Sequence, residues 1–198
     1  MFLLVAALSA CESGGPSDLY TGGPDSAPAE SAKPAKPEVL EWGTPATVDG
    51  KAENPVKVTP VGILYTRGDG NQVKPTQKWL VAVSLRLEAE QQPDYLAPPI
   101  DGGGFYWRAD GDEELIAKGN GNALNAPWVG RAPSLLARNL QPGEPEIAVI
   151  DFDLPTAGGT LLFKTPAGDT TRWKLPARTT GTGLTQVRAA LKEFGIKP

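Results

Sequence analysis

Residues 78–89 (KWLVAVSLRLEA) constrain the fold most tightly. Trp79, Val81, Val83, Leu85 and Leu87 alternate there with Leu80, Ala82, Ser84, Arg86 and Glu88. A period of two puts successive side chains on opposite faces of a pleated strand, and the charged far end marks this one as half-buried. Such a strand needs partners beside it and a second layer over its apolar face. The rest of the chain supplies both. Residues 55–65 (PVKVTPVGILY) read as a second strand. Pro60 within it has no N–H for a ladder, which predicts an edge strand or a bulge. Phe105, Tyr106, Trp107 and Arg108 run into the turn pair Asp110-Gly111, with a return strand expected through Leu115 and Ile116. Residues 145–154 (PEIAVIDFDL) form a strand closed by Pro155, and 160–165 and 170–175 flank Pro166-Ala167-Gly168-Asp169 as a hairpin.

These short strands between Gly/Pro turns predict an all-β, antiparallel sandwich. The 23 glycines and 20 prolines fit a loop-rich β protein better than a helical bundle. Connections this short leave no room for parallel crossovers, which disfavours a dinucleotide-type fold. The exception is a stretch from about residue 118 to 141, read as a long loop with Trp128 tucked in.

At the other end of the chain, residues 2–8 are almost wholly apolar, and Leu8-Ser9-Ala10-Cys11 puts small residues directly before the single cysteine. That order resembles the bacterial lipobox. The resemblance implies a signal peptide over residues 1–10, a diacylglyceryl group on the Cys11 sulfur, and anchoring at the extracytoplasmic face of the cell membrane. The basic segment that normally opens a signal peptide is missing, so the start is expected upstream. The apolar run is far below the roughly 20 residues a spanning helix needs. One cysteine forms no intramolecular disulfide, so stability outside the cell is expected from the packed core alone. Residues 12–38 are rich in Gly, Pro, Ser and Ala with only Leu19 and Tyr20 as sizeable apolar groups, too little to offset the entropy of ordering. The expected organisation is a signal peptide (1–10), a disordered stalk (11–38), a sandwich (39–177) and a linker with a C-terminal amphipathic helix (178–198).

Within the sandwich, an early Val-rich strand is followed by the long alternation, then Leu140-Gln141-Pro142-Gly143, a strand ending in Asp153-Leu154-Pro155, and Leu161-Leu162-Phe163. This succession resembles the telokin-like, immunoglobulin-like domains of actinobacterial surface lipoproteins over most of residues 50–176. The resemblance implies an immunoglobulin-like sandwich and an extracytoplasmic location. It assigns no catalytic residue and transfers no functional one.

The chain departs from that pattern at its end. Leu184, Val187, Leu191 and Phe194 fall on one helical face, with Gly195 as a stop and Lys192 in the last turn. Such a helix either caps the sandwich or docks on a partner or a membrane surface, helped by Arg188, Lys192 and Lys197.

Composition excludes several chemistries. With no histidine, a Ser-His-Asp or Cys-His arrangement does not exist, and the commonest metal ligand is missing. Neither G-x-S-x-G nor S-x-x-K occurs, and the only thiol is Cys11, so no enzyme activity, cofactor or metal is expected. A net charge of −4 without basic clusters argues against nucleic acid. Gly102-Gly103-Gly104 leads into a strand rather than a helix N-terminus and reads as a loop. Asp110, Asp112, Glu113 and Glu114 lack EF-hand spacing and read as a solvated turn. Asp151 and Asp153 share a strand face as ordinary outward carboxylates. Trp107 and Trp128, with Asn120 and Asn122, are the candidate binding residues, since aromatic faces beside amide donors suit sugar rings. Core packing is the competing role for the tryptophans. The expected function is a non-catalytic protein-interaction or structural module at the envelope, with a glycan or small-ligand binder as the alternative.

Overall fold

The computed structural model describes residues 38–67, 75–97, 101–111, 117–118 and 139–193. All lie in the second of the two units into which the chain divides, residues 1–35 and 36–198. Cys11, the stalk to residue 37, Leu115, Ile116, Asp112, Glu113, Glu114, Asn120, Asn122, Trp128, Phe194, Gly195 and Lys197 lie outside the described residues.

The described fold is all-β with antiparallel sheets and one short helix. Its strands are β1 (Ala46–Asp49), β2 (Pro55–Thr66), β3 (Trp79–Ala89), β4 (Gly104–Arg108), β5 (Ala117–Lys118), β6 (Glu146–Leu154), β7 (Thr160–Lys164), β8 (Thr170–Lys174) and β9 (Thr180–Gly181). Helix α1 spans Leu184–Glu193. One sheet runs β1-β2-β3-β6, with β9 also on β2, and the other runs β5-β4-β7-β8. Both turn apolar faces into one core. Val81, Val83, Leu85 and Leu87 from β3 and Ala148, Ile150, Phe152 and Leu154 from β6 meet Phe105, Trp107, Leu161, Phe163 and Trp173 of the other sheet.

The long alternation behaves as expected on its core side: Val83 pairs with Ile63 on β2 and Ile150 on β6. The far side differs. Leu80, Ala82 and Ser84 are fully buried on the opposite face, so the first half of β3 is covered twice. At Ser84 the cover is the C-terminal segment. After β9 pairs with Gly62 and Ile63, the chain crosses the outer face of the sheet, the Ser84 hydroxyl donates to the Gly183 carbonyl at 2.8 Å, and α1 packs on β2 and β3 with Val187 fully buried. The crossing is so close that a methyl group on Gly183 would stand 2.7 Å from the Ser84 Cβ, and one on Gly62 2.9 Å from the Gly183 carbonyl carbon. Glycine at both positions lets backbone ride on backbone. The helix therefore caps the sandwich, with Arg188 left exposed.

Pro60 sits at a bulge, where the β2–β3 register shifts between Pro60 and Gly62. It is not on an edge strand, because β1 covers residues 55–58 of β2 and β9 covers 62–63, with the proline in the gap between them. The hairpin of β7 and β8 forms as expected. The strand returning to β4 is paired through Ala117 and Lys118. Within the segment expected as a linker before the helix, Thr180–Gly181 instead pairs as β9, and β1 adds a strand beyond those expected.

Asp151 and Asp153 share one face but are not outward carboxylates in solvent: they are 1% and 4% exposed. Asp153 is spent on structure. It accepts the Thr76 amide at 2.6 Å, the Thr76 hydroxyl and the Gln77 amide at 2.9 Å, which pins the turn leading into β3.

Candidate functional site

The strands place their turns at two ends of the sandwich. At one end, the β1–β2 turn (residues 50–54) and the β7–β8 turn (165–169) face each other across a cleft of about 260 Å³ lined by Asp49, Gly50, Lys51, Glu53, Thr165, Pro166 and Ala167. The described residues begin at this end. Leu40 bridges Trp173 in parallel, its amide donating to Arg172 O and its carbonyl accepting from Lys174 N, both at 2.8 Å, so Glu38 lies toward the β7–β8 turn.

A buried carboxylate builds the β1–β2 side of the cleft. Asp94, 2% exposed, accepts the Ala52 amide at 3.1 Å, the Asn54 amide at 2.9 Å and its own neighbour's amide, Tyr95, at 2.7 Å. It leaves no room for a side chain on the turn: a methyl group on Gly50 would lie 2.4 Å from the carboxyl carbon. The turn closes through Gly50 N to Asn54 O at 2.9 Å, and Glu53 takes a left-handed conformation at φ 62°. A non-glycine residue held there stores about 1 kcal/mol or more. Lys51 reaches back to Asp101 at 3.3 Å. The exposed rim thus carries Asp49, Lys51 and Glu53, a mixed-charge surface with no aromatic group and no arrangement of nucleophile and base.

The opposite end is built around Tyr65 and Trp79. Tyr65 donates its hydroxyl to Pro176 O at 2.7 Å and accepts the Gly158 amide at 3.0 Å, joining the strand end to two loops. Burial pushes its pKa up from 10.0, partly offset by the Gly158 hydrogen bond. Trp79 meets it edge-on at 6.0 Å, with the Arg67 guanidinium 4.8 Å and the Lys78 ammonium 5.9 Å from the Trp79 ring centre.

Trp107 is not at either surface. It is fully buried, and its indole N–H donates to Gly158 O at 2.7 Å. Of its two expected roles Trp107 takes core packing and not a binding platform, because β4 lies between β5 and β7 in its sheet and Trp107 faces the shared core. Trp173 is buried likewise, with its N–H on Thr44 O at 2.9 Å. The other three candidates, Trp128, Asn120 and Asn122, lie outside the described residues, so the structure does not bring the predicted set together. Sequence reasoning also passed over the cleft. The dipeptide Asp49-Gly50 between Val48 and the β2 run was the turn signal that would have found it.

Comparison of the chain with protein-family models, curated proteins and solved structures gives no match. Among the described residues, no group of three or more Asp, Glu, Cys or His side chains converges as a metal site, and no helix is long and apolar enough to cross a membrane.

Proposed function

We propose that this chain is a lipid-anchored extracytoplasmic lipoprotein whose immunoglobulin-like β-sandwich serves as a non-catalytic protein-interaction or structural module at the cell envelope. The carrying observation is the burial of Trp107 and Trp173. Trp107 and Trp173 are consumed by the core with their indole N–H groups bonded to backbone, while the turns at both ends present charged and polar groups. Tryptophans buried in the core, with charged turns at the described ends, suit recognition by loops carried on a scaffold. A small-ligand or glycan binder would instead use a recess lined by aromatic rings with a few convergent polar groups, and the cleft has no aromatic lining.

The immunoglobulin-like part of the reading is supported by strand order. β2-β3-β6 facing β5-β4-β7-β8 matches an A-B-E sheet facing a C′-C-F-G sheet, which puts the buried Trp107 on the strand where that fold keeps its core tryptophan. The anchor rests on Leu8-Ser9-Ala10-Cys11, and the absence of histidine from the chain supports a non-catalytic role. Mass spectrometry of the membrane-fraction protein should find Cys11 as an acylated first residue, and Cys11→Ala should shift the protein out of that fraction. An unmodified thiol in an uncleaved cytosolic chain refutes the anchor.

A further inference from the structure

Lys51, Lys57, Arg86 and Lys174 each have a carboxylate within 4.0 Å. At the Tyr65–Trp79 end, Arg67, Lys78 and Arg178 are exposed and have no carboxylate partner among the described residues. Arg67 and Lys78 converge on one indole, and Arg178 directly precedes Thr179, whose hydroxyl accepts the Tyr65 amide at 3.0 Å. The neighbouring acid, Asp153, is buried with its oxygens committed to Thr76 and Gln77. In a chain of net charge −4, this leaves three exposed cations at one end of the described sandwich.

We infer that this corner, Arg67 and Lys78 around Trp79 with Arg178 beside Thr179, is the contact surface for an acidic segment of a partner protein. A guanidinium lying over an indole is held in place by the ring, so less rotamer freedom is lost when its N–H edge takes a carboxylate. Charge-assisted bonds from such a fork are the strong and directional kind. The same stacking argues against a sugar as the occupant, because Arg67 lies over the ring face that a pyranose would use. Glu38, the first described residue, lies toward the β7–β8 turn, whereas Arg67 and Lys78 lie at the far ends of β2 and β3.

The inference rests on the interaction-module reading and names its surface and partner chemistry. The test uses the full chain with a fluorescent ten-residue polyglutamate peptide, a polylysine peptide of equal length, inorganic phosphate, and vesicles of anionic lipid. Polyglutamate should bind with an affinity that falls as salt rises, and should perturb Trp79 emission. The triple variant Arg67→Gln/Lys78→Gln/Arg178→Gln should bind at least tenfold more weakly, with an unchanged melting curve. The pair Lys57→Gln/Arg86→Gln, on the ion-paired sheet face, should bind like the parent. Equal binding by parent and triple variant, no binding of polyglutamate, or binding confined to phosphate or vesicles overturns the inference. Those results leave the module reading standing if a partner is mapped to the cleft end, and the Cys11 experiment is independent of all of them.

Discussion

Asp94→Ala removes the group on which the cleft end is assembled. In the parent, its carboxylate accepts two amides from the β1–β2 turn at 2.9–3.1 Å and the Tyr95 amide at 2.7 Å, while its backbone pairs with Leu140 in both directions. Hydrogen bonds to a charged acceptor are worth about 1.5–3 kcal/mol each. Ala52 is exposed, so water replaces part of the loss at its amide, and a total near 2–4 kcal/mol follows for the variant. Asp94→Asn keeps one acceptor oxygen but turns an NH2 group toward donors, for about half that cost. At about 3–5 °C per kcal/mol for a domain of this size, the alanine variant should melt roughly 6–20 °C lower. Calorimetry reads the midpoint, and amide hydrogen exchange at Ala52 and Asn54 reads the local effect. Faster exchange should be concentrated at those amides and at Tyr95. If Asp94→Ala melts within a degree or two of the parent, or exchange rises evenly over the whole domain, the carboxylate does not organise the turn.

Three further expectations follow from the same structure. Burial holds the Tyr65 hydroxyl neutral above the pH at which it ionises in the unfolded chain, so its contribution is complete below pH 10.0 and is lost as pH rises toward the higher folded value. Tyr65→Phe should flatten that alkaline decline while costing about 1–2 kcal/mol at neutral pH through the two lost hydrogen bonds, measured by urea unfolding across pH. Glu53→Gly should stabilise the domain by about 0.5–1 kcal/mol, since glycine relieves the left-handed conformation at some cost in chain entropy; destabilisation would mean that the Glu53 side chain matters more than its backbone. Val187→Ala should cost about 2 kcal/mol in denaturant unfolding because the valine is fully buried against the sheet, and an unchanged stability would show that α1 does not hold to it in solution.

The strands legible in the sequence were those whose signal is local. Period-two alternation over β3, the Pro-Ala-Gly-Asp turn between β7 and β8, and the spacing of Leu184 and Val187 in α1 are each set by neighbours a few residues apart. The bulge at Pro60 was legible for the same reason, since a missing N–H is a property of one residue. β1 and β9 were not, because strands of four and two residues carry too little pattern and exist only by pairing with β2.

Sequence by itself determined that the domain is β-rich, that its chemistry is without imidazole, and that one cysteine stands behind a run of small residues. Tertiary structure decided which aromatic rings remain at a surface: Trp107 and Trp173 face inward, while Trp79 is left at a strand end beneath Arg67. It also decided that Asp94 and Asp153 are spent on backbone amides roughly 40 and 77 positions away. Alternation tells which residues share a face, but whether that face meets a second sheet, a returning helix or water depends on chain segments far away in sequence.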